Sequence, residues 1–99
     1  MLYAIIATDY PNTVDKRRDV RPRHMEYIKQ LIDAGRVILA GPHPAIDSSD
    51  PGPAGMTGSL IVAEFASIGE AQAWSQSDPY VTEGVFQDVM IKPFNRVYP

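Results

Sequence analysis

The sequence predicts an α+β domain in which four strands and two helices follow one another as βαββαβ, and three observations carry that reading. Four short apolar runs, rich in Ile, Val, Leu and Phe, are bounded by Gly, Pro, Asn or Ser. Between the first and second of these runs, and again between the third and fourth, apolar residues recur at helical spacing. The chain has 99 residues, 44% of them hydrophobic and 21% charged, with no internal repeat or long linker, so it should form one domain with a modest core.

The elements follow in order. "LYAIIATD" (2–9) reads as the first strand, and Pro11 with Asn12 ends it. Asn12 followed by Asp15 resembles a capping pair, which predicts a short helix over 13–19. Pro22 pushes Arg21 out of helical geometry and suits the first position of a new helix, so a break is expected there, with a second helical piece from Pro22 to Ala34. Gly35 then supplies a left-handed cap. "RVILAG" (36–41) and "GSLIVAEF" (58–65) read as the second and third strands. Ile68, Ala71 and Trp74 behind Ser67 place a helix over most of 67–77, "DPY" opens a short turn, and "VFQDVMIKPF" (85–94) is the fourth strand. This is the arrangement of ferredoxin-like domains with a four-stranded antiparallel sheet.

Both faces of these strands are apolar: Leu2, Ala4 and Ile6 oppose Tyr3, Ile5 and Ala7, and Ile61, Ala63 and Phe65 oppose Leu60 and Val62. Two helices cover one face only. The other is expected to pack against a second copy, making a homodimer the minimum assembly, with higher homo-oligomers left open.

Composition excludes several function classes. There is no cysteine for a disulfide framework or thiolate metal site, and His43, Asp47 and Asp50 have no metal-ligand spacing. The glycines of "GPAGMTG" match neither a phosphate-binding loop nor a dinucleotide fingerprint, and no G-x-S-x-G elbow exists, so no metal and no cofactor is expected. A net charge of -3 argues against nucleic-acid binding, despite the basic run "KRRDVRPR" (16–23). The apolar N-terminal stretch is too short for a bilayer, which takes roughly 20 residues, and a cytoplasmic protein without membrane attachment is expected.

The candidate chemistry sits at one end of the expected sheet, where Asp9, the segment around His24, Gly41 with Pro42, Ser59 and Asp78 converge beneath a long loop (42–57). His24 shares an apolar helix face with Ile28 and Leu31, with Met25 and Ile32 on its flank. In the first turn of a helix starting at Pro22, a neutral imidazole would be favoured and could accept a proton, with Asp78 holding its other nitrogen. Spacing alone leaves a second reading open, in which His24 is a core residue bonded to a carbonyl and Asp78 an ordinary helix cap. Ser59, Arg18, Arg21 and Tyr80 are the candidate substrate contacts, each with a plainer role available as a backbone-bonded hydroxyl, a surface cation or a packed aromatic.

Taken together and in order, "KRRDVRPRH", "AGPHPAIDSSDPGPAGMTGS", "AEF", "AQAW", "DPYVTEGVF" and "IKPF" resemble the YciI-like family over nearly the whole length. That resemblance implies a ferredoxin-like domain in a dimeric α/β barrel, related in shape to muconolactone isomerases, with a His and Asp pair as its active site. By motif the pair falls on His24 in "RPRH" and Asp78 in "DPY", and the glycine and serine before the third strand fall on Gly58 and Ser59. Met56 stands where an aromatic residue is expected, and His43 occupies a variable position.

The functional expectation is a cofactor-independent enzyme in which a His24–Asp78 dyad transfers a proton on a small anionic ring or diene substrate, as an isomerase or halide-eliminating lyase does. The alternative is a non-catalytic homodimer that binds a small metabolite or docks on another protein through the same pocket.

Overall fold

The computed structural model describes all 99 residues. The elements are β1 (Leu2–Asp9), α1 (Val14–Asp33), β2 (Val37–Pro44), a 3-10 turn (Gly52–Ala54), β3 (Met56–Glu64), α2 (Ile68–Gln76), the one-turn α3 (Pro79–Thr82) and β4 (Phe86–Phe94). The sheet is wholly antiparallel in the order β2-β3-β1-β4, which makes β1 and β3 central and β2 an edge. Ile5 lies opposite Ile61 on one side and Ile91 on the other, and this register places Tyr3, Ile5, Ile61 and Ala63 on the helix-covered face. There they close a core with Ile28 and Leu31 of α1, Phe65, and Ala71 of α2. The βαββαβ order and the α+β class are those expected. No helix is long and apolar enough to cross a membrane.

α1 departs from expectation. No break occurs at Arg21: one helix of 20 residues runs through Pro22. A proline inside a helix removes one hydrogen bond, here the one that the Arg18 carbonyl would accept, and costs roughly 3 kcal/mol. Arg18 and Pro22 both face solvent, so water can serve that carbonyl. Against the cost stands a continuous buried stripe, Arg17, Val20, His24, Ile28 and Leu31, spaced three and four residues apart across the proline. A break would take Arg17 and Val20 off that stripe. His24 consequently sits in the third turn, and the dipole of a helix N-terminus does not act on it.

The capping pair is also corrected. Asn12 occupies the left-handed region (φ 61°) in the turn after β1, and Thr13 takes the N-cap position without a side-chain cap; its hydroxyl donates to the Tyr10 carbonyl at 2.7 Å. At the other end Gly35 (φ 70°) serves as expected: its N–H reaches the Ile32 carbonyl and that of Arg36 reaches Leu31, satisfying two terminal acceptors.

The loop expected over 42–57 is shorter, because β2 continues through Pro42 and Pro44 and β3 begins at Met56. Prolines fit there since an edge strand need not donate on its outer side. Every residue of β2 after Val37 is exposed on both faces, so the helix layer stops short of that edge.

Replacing Pro22 by Ala restores a helical hydrogen bond at an exposed position. Pro22→Ala is expected to stabilise the fold by about 1–3 kcal/mol, read as a higher urea midpoint at unchanged slope; a loss of stability would show that the proline shapes α1.

Candidate functional site

The buried stripe of α1 carries two polar side chains, and each meets a carboxylate. His24 Nδ1 lies 2.8 and 3.0 Å from the two Asp78 oxygens, with both residues buried. A carboxylate can only accept, so Nδ1 carries a hydrogen, and in the neutral ring Nε2 holds the lone pair. Asp78 is at the same time the N-cap of α3, its Oδ1 accepting the Tyr80 N–H at 2.9 Å. One carboxylate thus bonds the imidazole and caps α3 at once.

No protein group bonds His24 Nε2, yet no fully buried side-chain nitrogen or oxygen in the molecule lacks a partner. Nε2 must therefore reach open space. His24 lines a cavity of about 690 Å³ between α1 and the uncovered part of β2, closed on a third side by Gly52, Pro53 and Gly55 of the intervening loop. The ring lies stacked on Tyr80, centroids 4.0 Å apart and planes 16° from parallel, with Phe86 edge-on at 6.5 Å. Helix burial, an aromatic plate and a hydrogen bond from Nδ1 to a carboxylate fix the imidazole before anything enters.

Arg17, two turns earlier on the stripe, is the residue that sequence reasoning missed. Its Nη1 donates to both Asp9 oxygens at 2.8 and 2.9 Å, and its Nη2 to the Gly58 carbonyl at 3.1 Å and Ser59 Oγ at 2.6 Å. The guanidinium carbon also lies 4.7 Å from the centre of the Tyr80 ring. The signal was present, since Arg17 falls seven residues before His24, but a helix broken at Pro22 hides it. Asp9 ends β1, and burial pushes its carboxyl above the ordinary value although Arg17 pulls it down, with a smaller downward pull from His43. Gly58 of β3 has no room for a side chain, which would collide with the Ala7 carbonyl oxygen of β1.

The other expected contacts are distributed as follows. Ser59 and Tyr80 are buried and line the cavity; Arg18 and Arg21 line it from the exposed side of α1. Arg18 is 3.4 Å from Asp15 and 3.6 Å from Asp19 in exposed pairs of small worth. Met56 forms part of the cavity wall, as do Met25 and Ile32. His43 lies outside it, beside Gly58. No group of three His, Cys, Asp or Glu side chains is placed to hold a metal ion.

Burial, the largest influence, raises the Tyr80 phenol above its ordinary 10.0, with Arg17 and Arg21 opposing and Asp78 and Asp9 adding to it. Tyr27, whose hydroxyl donates to the Trp74 carbonyl at 2.7 Å, is raised chiefly by burial as well. A raised phenol favours the folded state fully below the unfolded value and loses that contribution as pH climbs through the folded one. Stability should therefore fall above pH about 10, and Tyr80→Phe should flatten that alkaline limb in pH-dependent thermal denaturation; an unchanged limb would mean that Tyr80 ionises freely.

The comparisons with known proteins agree with this architecture. Protein YciI of Escherichia coli O6:H1 is 51% identical over 98 residues, covering 99% of this chain and 100% of its own. A Haemophilus influenzae protein is 47% identical over the same extent. Among solved structures, the 5-chloro-2-hydroxyhydroquinone dehydrochlorinase TftG of Burkholderia phenoliruptrix AC1100, in complex with 2,5-dihydroxybenzoquinone, superposes with a TM-score of 0.85. It shares 24% identity over 96% of this chain and 94% of its own, a likeness of fold. The family model of the YCII-related domain matches residues 1–95, and the chain belongs to that family.

Proposed function

We propose that the chain is an enzyme that works without a cofactor, in which His24 moves a proton of a small anionic ring or diene substrate. The observation that carries this reading is the placement of the imidazole: the Asp78 carboxylate holds Nδ1, no protein group bonds Nε2, and the residue lines the cavity. Nε2 would take a proton from an atom adjacent to a carbonyl, and the bonding pair would move toward the carbonyl oxygen. In an isomerisation Nε2–H returns the proton at another carbon; in an elimination the pair expels halide, which leaves with the charge. Asp78 balances the positive charge that the ring gains meanwhile. A volume of about 690 Å³ is ample for a small molecule, and a lining with three arginines and one aspartate favours an anion.

The dehydrochlorinase of the same fold is named for 5-chloro-2-hydroxyhydroquinone, which makes that compound the first to offer, beside a panel of lactones. Turnover of a panel member is expected to fall about 10²–10⁴-fold in His24→Asn. Asp78→Asn retains an oxygen for the α3 cap, so its loss, roughly 10²-fold or more, would report the missing charge rather than unfolding. A native protein inert on every compound, yet raised in Tm by one of them, would replace this reading with that of a non-catalytic metabolite-binding module.

The same proposal includes a homodimer. The sheet face away from the helices carries Leu2, Ala4, Ile6, Leu60 and Val62, and leaves Leu39, Met90 and Phe94 at 48%, 50% and 39% exposure. A second copy placed face to face would bury this patch and give a dimeric α/β barrel. Sedimentation equilibrium should show a dimer that Leu39→Glu with Met90→Glu converts to a monomer; a monomeric native protein would end this part of the reading.

A further inference from the structure

Arg17 borders the cavity, yet both ends of its guanidinium fork are committed to protein: Nη1 to Asp9, Nη2 to the Gly58 carbonyl and Ser59 Oγ. It cannot clamp a ligand with that fork. A buried ion pair returns little net stability, since desolvation offsets most of the attraction. The arrangement is better understood by what it does to Ser59. A hydroxyl has one hydrogen to give and two lone pairs. The Ser59 oxygen accepts from Arg17 at 2.6 Å, a short charge-assisted bond, while its hydrogen has no protein acceptor although the residue is only 5% exposed. Ser59 and His24 line the same cavity.

We propose that Ser59 donates this hydrogen to an anionic oxygen of the bound molecule, and that Arg17, anchored by Asp9, is the positioning residue that aims the hydroxyl. The inference rests on the proton-transfer reading above and completes it. As Nε2 removes a proton, the electron pair of the broken bond moves to the carbonyl oxygen, and that oxygen becomes the acceptor for Ser59. Ser59 keeps its proton throughout. With one lone pair held by a guanidinium, the hydroxyl cannot swing to offer that lone pair to the ligand, and the adjacent positive charge strengthens the O–H as a donor. Asp9 fixes Arg17 from the far side, so the donor is in place before charge develops.

The test uses 4-nitrophenol, whose anion is coloured, as a probe of an oxyanion-accepting position. Native protein should bind the phenolate at least about tenfold more tightly than the phenol, so the bound dye ionises at lower pH than the free dye. Ser59→Ala should abolish most of that preference and Ser59→Thr should restore it. Arg17→Lys, which keeps a cation for Asp9 but not the second arm, should lose as much as Ser59→Ala, and the two together no more than either. Should Arg17→Lys not fold, Asp9→Asn with Arg17→Met, which removes both charges at once, is measured instead. A native phenolate preference in Ser59→Ala, additive losses in the double variant, or no uptake of the anion by native protein would overturn the proposal. A protein that prefers the phenolate in this Ser59-dependent way but turns over no panel compound would end the catalytic reading and leave the donor standing.

Discussion

A helix that buries an arginine and a histidine along one stripe can lie on a sheet only where a counter-charge awaits the first and a hydrogen-bond acceptor the second. An unpaired charge in such a place would cost several kcal/mol, more than most single contacts return. Asp9 at the end of β1 and Asp78 at the start of α3 meet that requirement. The pairings therefore set where α1 sits and how it is rotated. They also account for an imidazole on a core face: one nitrogen is satisfied inside the fold and the other lies at the rim of a cavity.

The position of that cavity follows from the same placement. α1 packs on α3 and β3, no helix covers β2, and the inward-facing Ala40 and Pro42 stay exposed. A sheet one strand wider than its helix layer leaves a trough, and the connection between β2 and β3 closes one end of it. Pro42 and Pro44 belong to this geometry, since they are tolerated only along an unpaired edge.

Much of this was legible in the sequence. The succession of strands and helices came from short apolar runs and helical spacing, the antiparallel sheet from the ferredoxin-like arrangement of that succession, the left-handed cap from Gly35, and the meeting of His24 with Asp78 from topology that brings the ends of particular elements together. What failed was local grammar overridden by packing. Pro22 is a sound reason to expect a break, yet the stripe through Arg17, Val20 and His24 outweighs one missing hydrogen bond. That single error concealed Arg17 and moved His24 to a helix terminus. Asn12 and Asp15 likewise have the composition of a cap, while the turn places Asn12 in left-handed geometry and leaves Thr13 to begin the helix. The extent of β2 was not legible because an edge strand tolerates prolines that a central strand would refuse.

The cavity is built from two kinds of residue. Its floor, Arg17, His24, Ser59 and Tyr80, is buried and interlocked, whereas much of its wall, including Arg18, Arg21, Met25, Ile32 and Ala40, is open to solvent and carries little of the fold. Exchanges at exposed positions typically shift stability by no more than about 0.5 kcal/mol, while those at buried, bonded ones cost several times that. Descendants of one ancestor can thus be reshaped toward new guests by drift along the wall, with an unaltered chemical core passed down beneath it.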